Sequence, residues 1–304
     1  MRVNLLLAIL LISQANTHSA QEYFVSQDQS NFFEWFHERS QVDQLYADRS
    51  TLYTFTDQVN VRQKPSTQSN ILTQLPIGWA VTNIAYREND LPKASINGYE
   101  DIWYHIRGND EQGKSFVGYV WGGHIAKGWR EADLTGDGKL EFVMLGVAGK
   151  SRTNPQDINA EIRIVQSNRL MSQTLVPQLC VFEECASSAM LRVLQSQKVQ
   201  GLMVIEASTM TIGCSTGIDK AFYYWNGSGL VRVYQAEYAS KTEIFRKKFT
   251  VATPGKQVSN VQLCEYGGED SGYNPIWNCK TLQIVPASET KPIAVSNKKQ
   301  FIEN

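Results

Sequence analysis

The stretch from Asp133 to Glu141 is where residue type and spacing most nearly spell a chemistry. It reads Asp133-Leu134-Thr135-Gly136-Asp137-Gly138-Lys139-Leu140-Glu141, with oxygen-bearing side chains at relative positions 1, 3, 5 and 9 and glycine at 6. A hard cation collects six to eight oxygens, and a short loop with this spacing wraps them around it. The expected ion is Ca²⁺, held by the side chains of Asp133, Thr135, Asp137 and Glu141 and the carbonyl of Lys139. The metal-free alternative is a tight turn closed by Asx-type hydrogen bonds.

Nucleophilic chemistry finds less support. Cys180, Cys185, Cys214, Cys264 and Cys279 all follow the four histidines, His18, His37, His105 and His124. A cysteine nucleophile needs an imidazole to make and orient its thiolate. The segment Gly213-Cys214-Ser215-Thr216-Gly217 faintly resembles the nucleophile segment of NlpC-type peptidases, but no histidine follows it, as that family's order requires. The same shortage argues against a serine triad or a histidine-ligated zinc amidase in the C-terminal half. A carboxylate-pair glycosidase stays open as the enzymatic alternative, although no pair stands out by spacing. In an exported chain the cysteines read as disulfides. Sequence neighbours suggest Cys180–Cys185 and Cys264–Cys279, with Cys214 left over.

Binding is the stronger expectation. Between Phe55 and Trp129 the chain is rich in rings, and rigid rings beside a shallow groove suit extended peptides or sugars. Tyr119 and Trp121 are the leading expected contacts, followed by Tyr104, Tyr86 and Trp79, with Trp103 structural. Strand alternation sets Trp103 and Tyr104 on opposite faces, so about half of these rings belong to a core. Glu88, Asp90, Glu100 and Asp101 would form an acidic rim favouring a ligand with free amines.

The elements that position these residues are short strands. Val59-Asn60-Val61-Arg62 alternates, Pro65 forces a turn, and glycines 78, 98, 108, 113 and 118 punctuate further alternating runs. Five short strands in about seventy residues predict a small bent barrel over 51–130. The residues "VNVRQKPSTQSNILTQLPIGWAV…WYHI…VGYVWGGHI" resemble the bacterial SH3-like (SH3b) family, with its N-V-R motif, Pro-Ser turn, L-x-x-G turn and closing G-Y-V segment. Lys64 stands where that family has a glycine, and the loop from Glu88 to Asp101 is long. The resemblance implies an extracytoplasmic module that binds cell-wall peptide. Residues 133–145 resemble the calcium loops of FG-GAP and EF-hand type, with Thr135 where the former carry Asp or Asn and Met144 where the latter carry a bidentate glutamate.

The flanks complete the plan. Met1-Arg2, the apolar run Leu5 to Ile12 and the small pair Ser19-Ala20 read as a signal peptide over 1–20, too short to span a bilayer. Phe32, Phe33, Trp35, Phe36, Leu45 and Tyr46 recur at helical spacing, predicting short helices over 21–50. Repeated β runs from Phe142 to Val285 predict a β-rich sandwich or propeller-like domain over 131–290, and 291–304 reads as a polar flexible tail. The fold class is therefore mainly β. With 29 basic and 30 acidic residues the net charge is -1, which argues against a nucleic-acid binder. Taken together the chain reads as an exported, periplasmic or secreted, non-enzymatic protein that binds peptidoglycan or an envelope protein. The alternatives are a cell-wall hydrolase with carboxylate catalysts and an envelope scaffold or inhibitor.

Overall fold

Alternation of buried and less buried side chains marks the short strands of the N-terminal sheet, while the strands that follow it are buried on both faces where they lie between layers. In the computed structural model, residues 19–24, 45–84, 91–149, 153–154, 159–182, 187–195, 203–211, 217–240, 247–253, 260–272, 275–283 and 294–302 are described. The strands are β1 (Ser19–Phe24), β2 (Thr51–Tyr53), β3 (Val59–Arg62), β4 (Ile71–Leu75), β5 (Ala80–Asn83), β6 (Lys93–Ile96), β7 (Tyr99–Asn109) and β8 (Ser115–Trp121). They continue as β9 (Gly128–Ala132), β10 (Glu141–Val147), β11 (Asn159–Gln166), β12 (Arg169–Pro177), β13 (Ser187–Gln195), β14 (Met203–Thr211), β15 (Gly217–Trp225) and β16 (Leu230–Ser240). The last four are β17 (Lys247–Thr253), β18 (Asn260–Glu269), β19 (Pro275–Gln283) and β20 (Ala294–Ile302). The chain is mainly β, as its patterning predicts.

The first sheet curls into a half-barrel in the order β2-β5-β7-β8-β3-β4, with β6 added beside β7. Long β7 causes the curl: its first half pairs with β6, its end with β5, and Trp103 to Asn109 with β8. Val59 and Val61, Ile102, Tyr104 and Ile106, and Val120 point inward and meet Leu52, Phe55, Leu75 and Ile77. That core does not stop at the half-barrel, because Trp129, Met144 and Val165 of the next sheet belong to it.

After the half-barrel come three successive antiparallel meanders, β9–β12, β13–β16 and β17–β20, the last joined by β1 along β17. The first two face each other as the layers of a sandwich, with β9 beside β13 and β12 beside β16. Val143, Leu145, Ile162 and Ile164 of one layer meet Leu191, Ile205, Ala207 and Tyr223 of the other. This core also takes in Tyr99, Trp103 and Trp121 from the outer face of the half-barrel. Sheet β9–β12 therefore buries one face against the half-barrel and the other against β13–β16.

Charged side chains lie within these layers, each satisfied by a partner. Lys127 Nζ sits 3.0 Å from Asp101 Oδ2, with both side chains at most 5% exposed. Arg163 holds Glu161 Oε2 through Nη2 at 2.7 Å and donates Nη1 to the Phe55 carbonyl at 2.9 Å, its guanidinium lying over the Phe55 ring. A Cβ at Gly146 would come within 2.6 Å of that ring, so the close approach of half-barrel and sheet requires glycine there. Lys220 and Arg192 both reach Glu206, at 2.9 and 3.0 Å. Buried charges demand such partners because an unpaired one costs several kcal/mol.

The termini depart from their expected form. Residues 21–24 form part of β1 rather than a helix, and most of the helical run, 25–44, lies outside the described residues. β1 already includes Ser19 and Ala20, paired with Thr253 and Ala252, so a cut after Ala20 would remove its first two residues. Residues 294–302, expected as a loose tail, form β20 against β19. A polar composition does not bar a strand, because backbone pairing is open to any residue but proline.

Candidate functional site

The Asp133 loop joins β9 to β10, and its carboxylates turn back onto its own backbone. Asp133 Oδ1 accepts N–H bonds from Gly136 and Asp137 at 2.7 and 3.1 Å, and Oδ2 accepts from Gly138 at 3.0 Å. Glu141 is fully buried. Its Oε2 accepts from the Leu134 and Thr135 amides at 2.7 and 3.2 Å, and its Oε1 from the Thr135 hydroxyl and Gln166 Nε2 at 3.1 and 2.7 Å. A carboxylate offers about four lone-pair sites, so Glu141 is saturated by protein donors. Asp137 accepts the Lys139 amide at 2.8 Å, and that bond lowers its pKa. Among the described residues no three His, Cys, Asp or Glu side chains gather where they could hold a metal ion. As placed, Glu141 would have to give up protein donors to join the expected five-ligand Ca²⁺ set.

The expected contact rings separate sharply. Tyr104 is fully buried inside the half-barrel, and Trp121 is buried on its outer side with Nε1 donating to the Ala94 carbonyl at 3.0 Å. A docked ligand reaches neither. Trp79 is half-buried and donates Nε1 to the Asn109 carbonyl at 2.8 Å. Tyr86 lies outside the described residues. Tyr119 is half-exposed and stacks on His105, with centroids 4.5 Å apart and planes at 11°.

Register explains the division. Trp103 pairs with Trp121 and His105 with Tyr119 across β7 and β8, so all four point outward from the half-barrel. The sandwich covers the first row and leaves the second at its edge, where Tyr119 still packs against the covered core. Arg62 pairs with Tyr119 from β3, and Ile71 with Arg62 from β4, extending the row to four strands. Arg62 donates Nη1 to the Ser69 carbonyl at 2.8 Å, and Arg107 and Val117 form the next row, both exposed. Burial lowers the His105 pKa, so its ring is mainly neutral at pH 7. Of the expected acidic rim, Asp101 is buried against Lys127, Glu100 is exposed on β7, and residues 88 and 90 lie outside the described residues. The outward row around Tyr119 is aromatic, with Arg62 and Arg107 on its flanks.

The Thr56 hydroxyl lies 3.0 Å from His124 Nδ1, the spacing of a nucleophile and its base. That imidazole is largely buried, with its pKa lowered to about 4 by burial and then by Arg163 and Arg62. A base so weak is a poor activator of a hydroxyl at neutral pH, and the charges that reach the ring are cationic, unlike the carboxylate of a triad. Cys214 lies outside the described residues. No family model, curated protein or solved structure matches this chain.

Sequence reasoning reached Tyr119 but missed His105 and Arg62 as its neighbours. The alternation Trp103, His105, Arg107 was legible on β7. The registers that carry His105 and Arg62 to Tyr119 were not. No helix among the described residues is long and apolar enough to cross a membrane.

Proposed function

We propose that this protein is exported and non-enzymatic, and that its SH3-like N-terminal sheet binds peptidoglycan or another envelope component along the His105–Tyr119 row. One observation carries the reading: two stacked rings are half-exposed on an outer sheet face whose neighbouring ring pair, Trp103 and Trp121, is covered. A preformed ring pair loses little conformational freedom on binding, which is how aromatic side chains come to dominate recognition surfaces. Export is supported by the apolar N-terminal run and by the antiparallel register that sets Cys264 opposite Cys279. Opposed Cα atoms on neighbouring antiparallel strands lie about 4.5–5.5 Å apart, within the span of a disulfide.

The test is co-sedimentation of the whole protein with purified sacculi. Tyr119→Ala should lower retention by about tenfold, the loss of one good ring contact, while the melting temperature stays within a few degrees. Retention unchanged in that variant would overturn the site. Release of labelled fragments from the sacculi would instead establish the hydrolase reading. The same preparation, mapped without reduction, should yield the Cys264 and Cys279 peptides linked.

A further inference from the structure

The row around Tyr119 also specifies the charge of what lies on it. On the outward positions of β7, β8 and β3 the one acid is Asp101, buried and paired with Lys127. The cations are Arg62 and Arg107, on either side of the Tyr119–Val117 line of β8. β3 lies against β8 so closely that a Cβ at Gly118 would stand 2.7 Å from the Arg62 carbonyl, and the register sets Arg62 opposite Tyr119. Arg62 spends one N–H on Ser69, leaving a fork of donors that matches a carboxylate. The two arginines are two strand spacings apart across the sheet and two residues apart along it, about 12 Å between Cα atoms. That gap is too wide to clamp a single anion. An extended chain crosses it in about four residues.

We propose that this surface takes an extended acidic peptide whose two carboxylates, about four residues apart, meet Arg62 and Arg107 while an apolar side chain between them lies on Tyr119 and Val117. The proposal rests on the binding reading above and adds the sign, spacing and class of the ligand. Ile71, exposed at the end of the row, extends the apolar floor beyond Arg62.

Fluorescence anisotropy with the full chain and three labelled peptides tests it. The first peptide carries two glutamates separated by three residues with leucine in the middle, the second carries lysines in their place, and the third has the glutamates adjacent. The first should bind at least tenfold tighter than the second and measurably tighter than the third, and its affinity should fall as salt rises. Arg107→Gln and Arg62→Gln should each weaken it several-fold with unchanged circular dichroism. Arg107 is exposed, so its variant tests the charge even if Arg62→Gln disturbs the Ser69 turn. Equal binding of the lysine peptide, or no effect of Arg107→Gln, overturns the proposal. So does binding of a labelled polyphosphate when none of the three peptides binds measurably. If sacculus retention falls with Tyr119→Ala yet ignores both arginine variants, the ring site stands and the acidic-peptide assignment fails.

Discussion

His124 shows how a single residue couples the half-barrel to its neighbour. Its ring meets the edge of Trp121, its Nδ1 faces the Thr56 hydroxyl, and Arg163 and Arg62 lie near enough to disfavour its cation. Its carbonyl accepts the Phe55 amide at 2.7 Å, so the residue is fixed from both backbone and side chain. The folded pKa, about 4, is below the unfolded value of 6.5. Stability from the neutral ring is therefore complete above pH 6.5 and lost as pH falls towards 4. At 1.36 kcal/mol per unit the loss totals roughly 3 kcal/mol. Urea titrations at pH 7.5 and 4.5 should show it in the wild type, and His124→Gln should flatten the difference by that amount. Parallel pH curves for the two proteins would refute the assignment. Neither the burial nor the two arginines could be read from the sequence, where His124 was one more residue after a pair of glycines.

The β9–β10 connection gives the same lesson for an element. Its spacing of carboxylates is that of a cation loop, and its glycines do turn with positive φ at 136 and 138. What the spacing could not say is which way Glu141 points. Because Glu141 opens β10 with its side chain buried, it serves as the anchor for the loop's own amides and for Gln166 of β11. We infer that the loop closes without an ion. Glu141→Gln puts a donor where amides already donate, and should cost about 2–3 kcal/mol. That loss should be the same with and without millimolar Ca²⁺, and Ca²⁺ should leave the wild-type melting temperature where it was. A saturable rise in melting temperature with Ca²⁺ would restore the metal site.

For the whole molecule, the two cores decide how the chain divides. The expected boundary near 130 would cut a barrel from a β-rich domain. Yet Trp129, Met144 and Val165 complete the half-barrel's interior, and Tyr99, Trp103 and Trp121 complete the sandwich's. A fragment spanning residues 45–127 would bare both surfaces, together with the Phe55 ring that lies on Gly146. It should bind a hydrophobic dye and lack a cooperative melt, while the full chain melts the half-barrel and β9–β12 together. A sharp independent transition in the fragment would show instead that the half-barrel folds alone. By itself, the sequence determined the class of structure and most of the strands of the N-terminal sheet, with the residues that alternate along them, because a period of two is a local property. It also brought Tyr119 to notice, but it did not foresee β1 or β20. Only the tertiary structure decided that Tyr104 and Trp121 are core, that Asp101 and Glu141 are spent on internal partners, and that His105 and Arg62 flank Tyr119. Those outcomes depend on register between strands and on which sheet covers which face, and both are set by contacts between residues far apart in the chain.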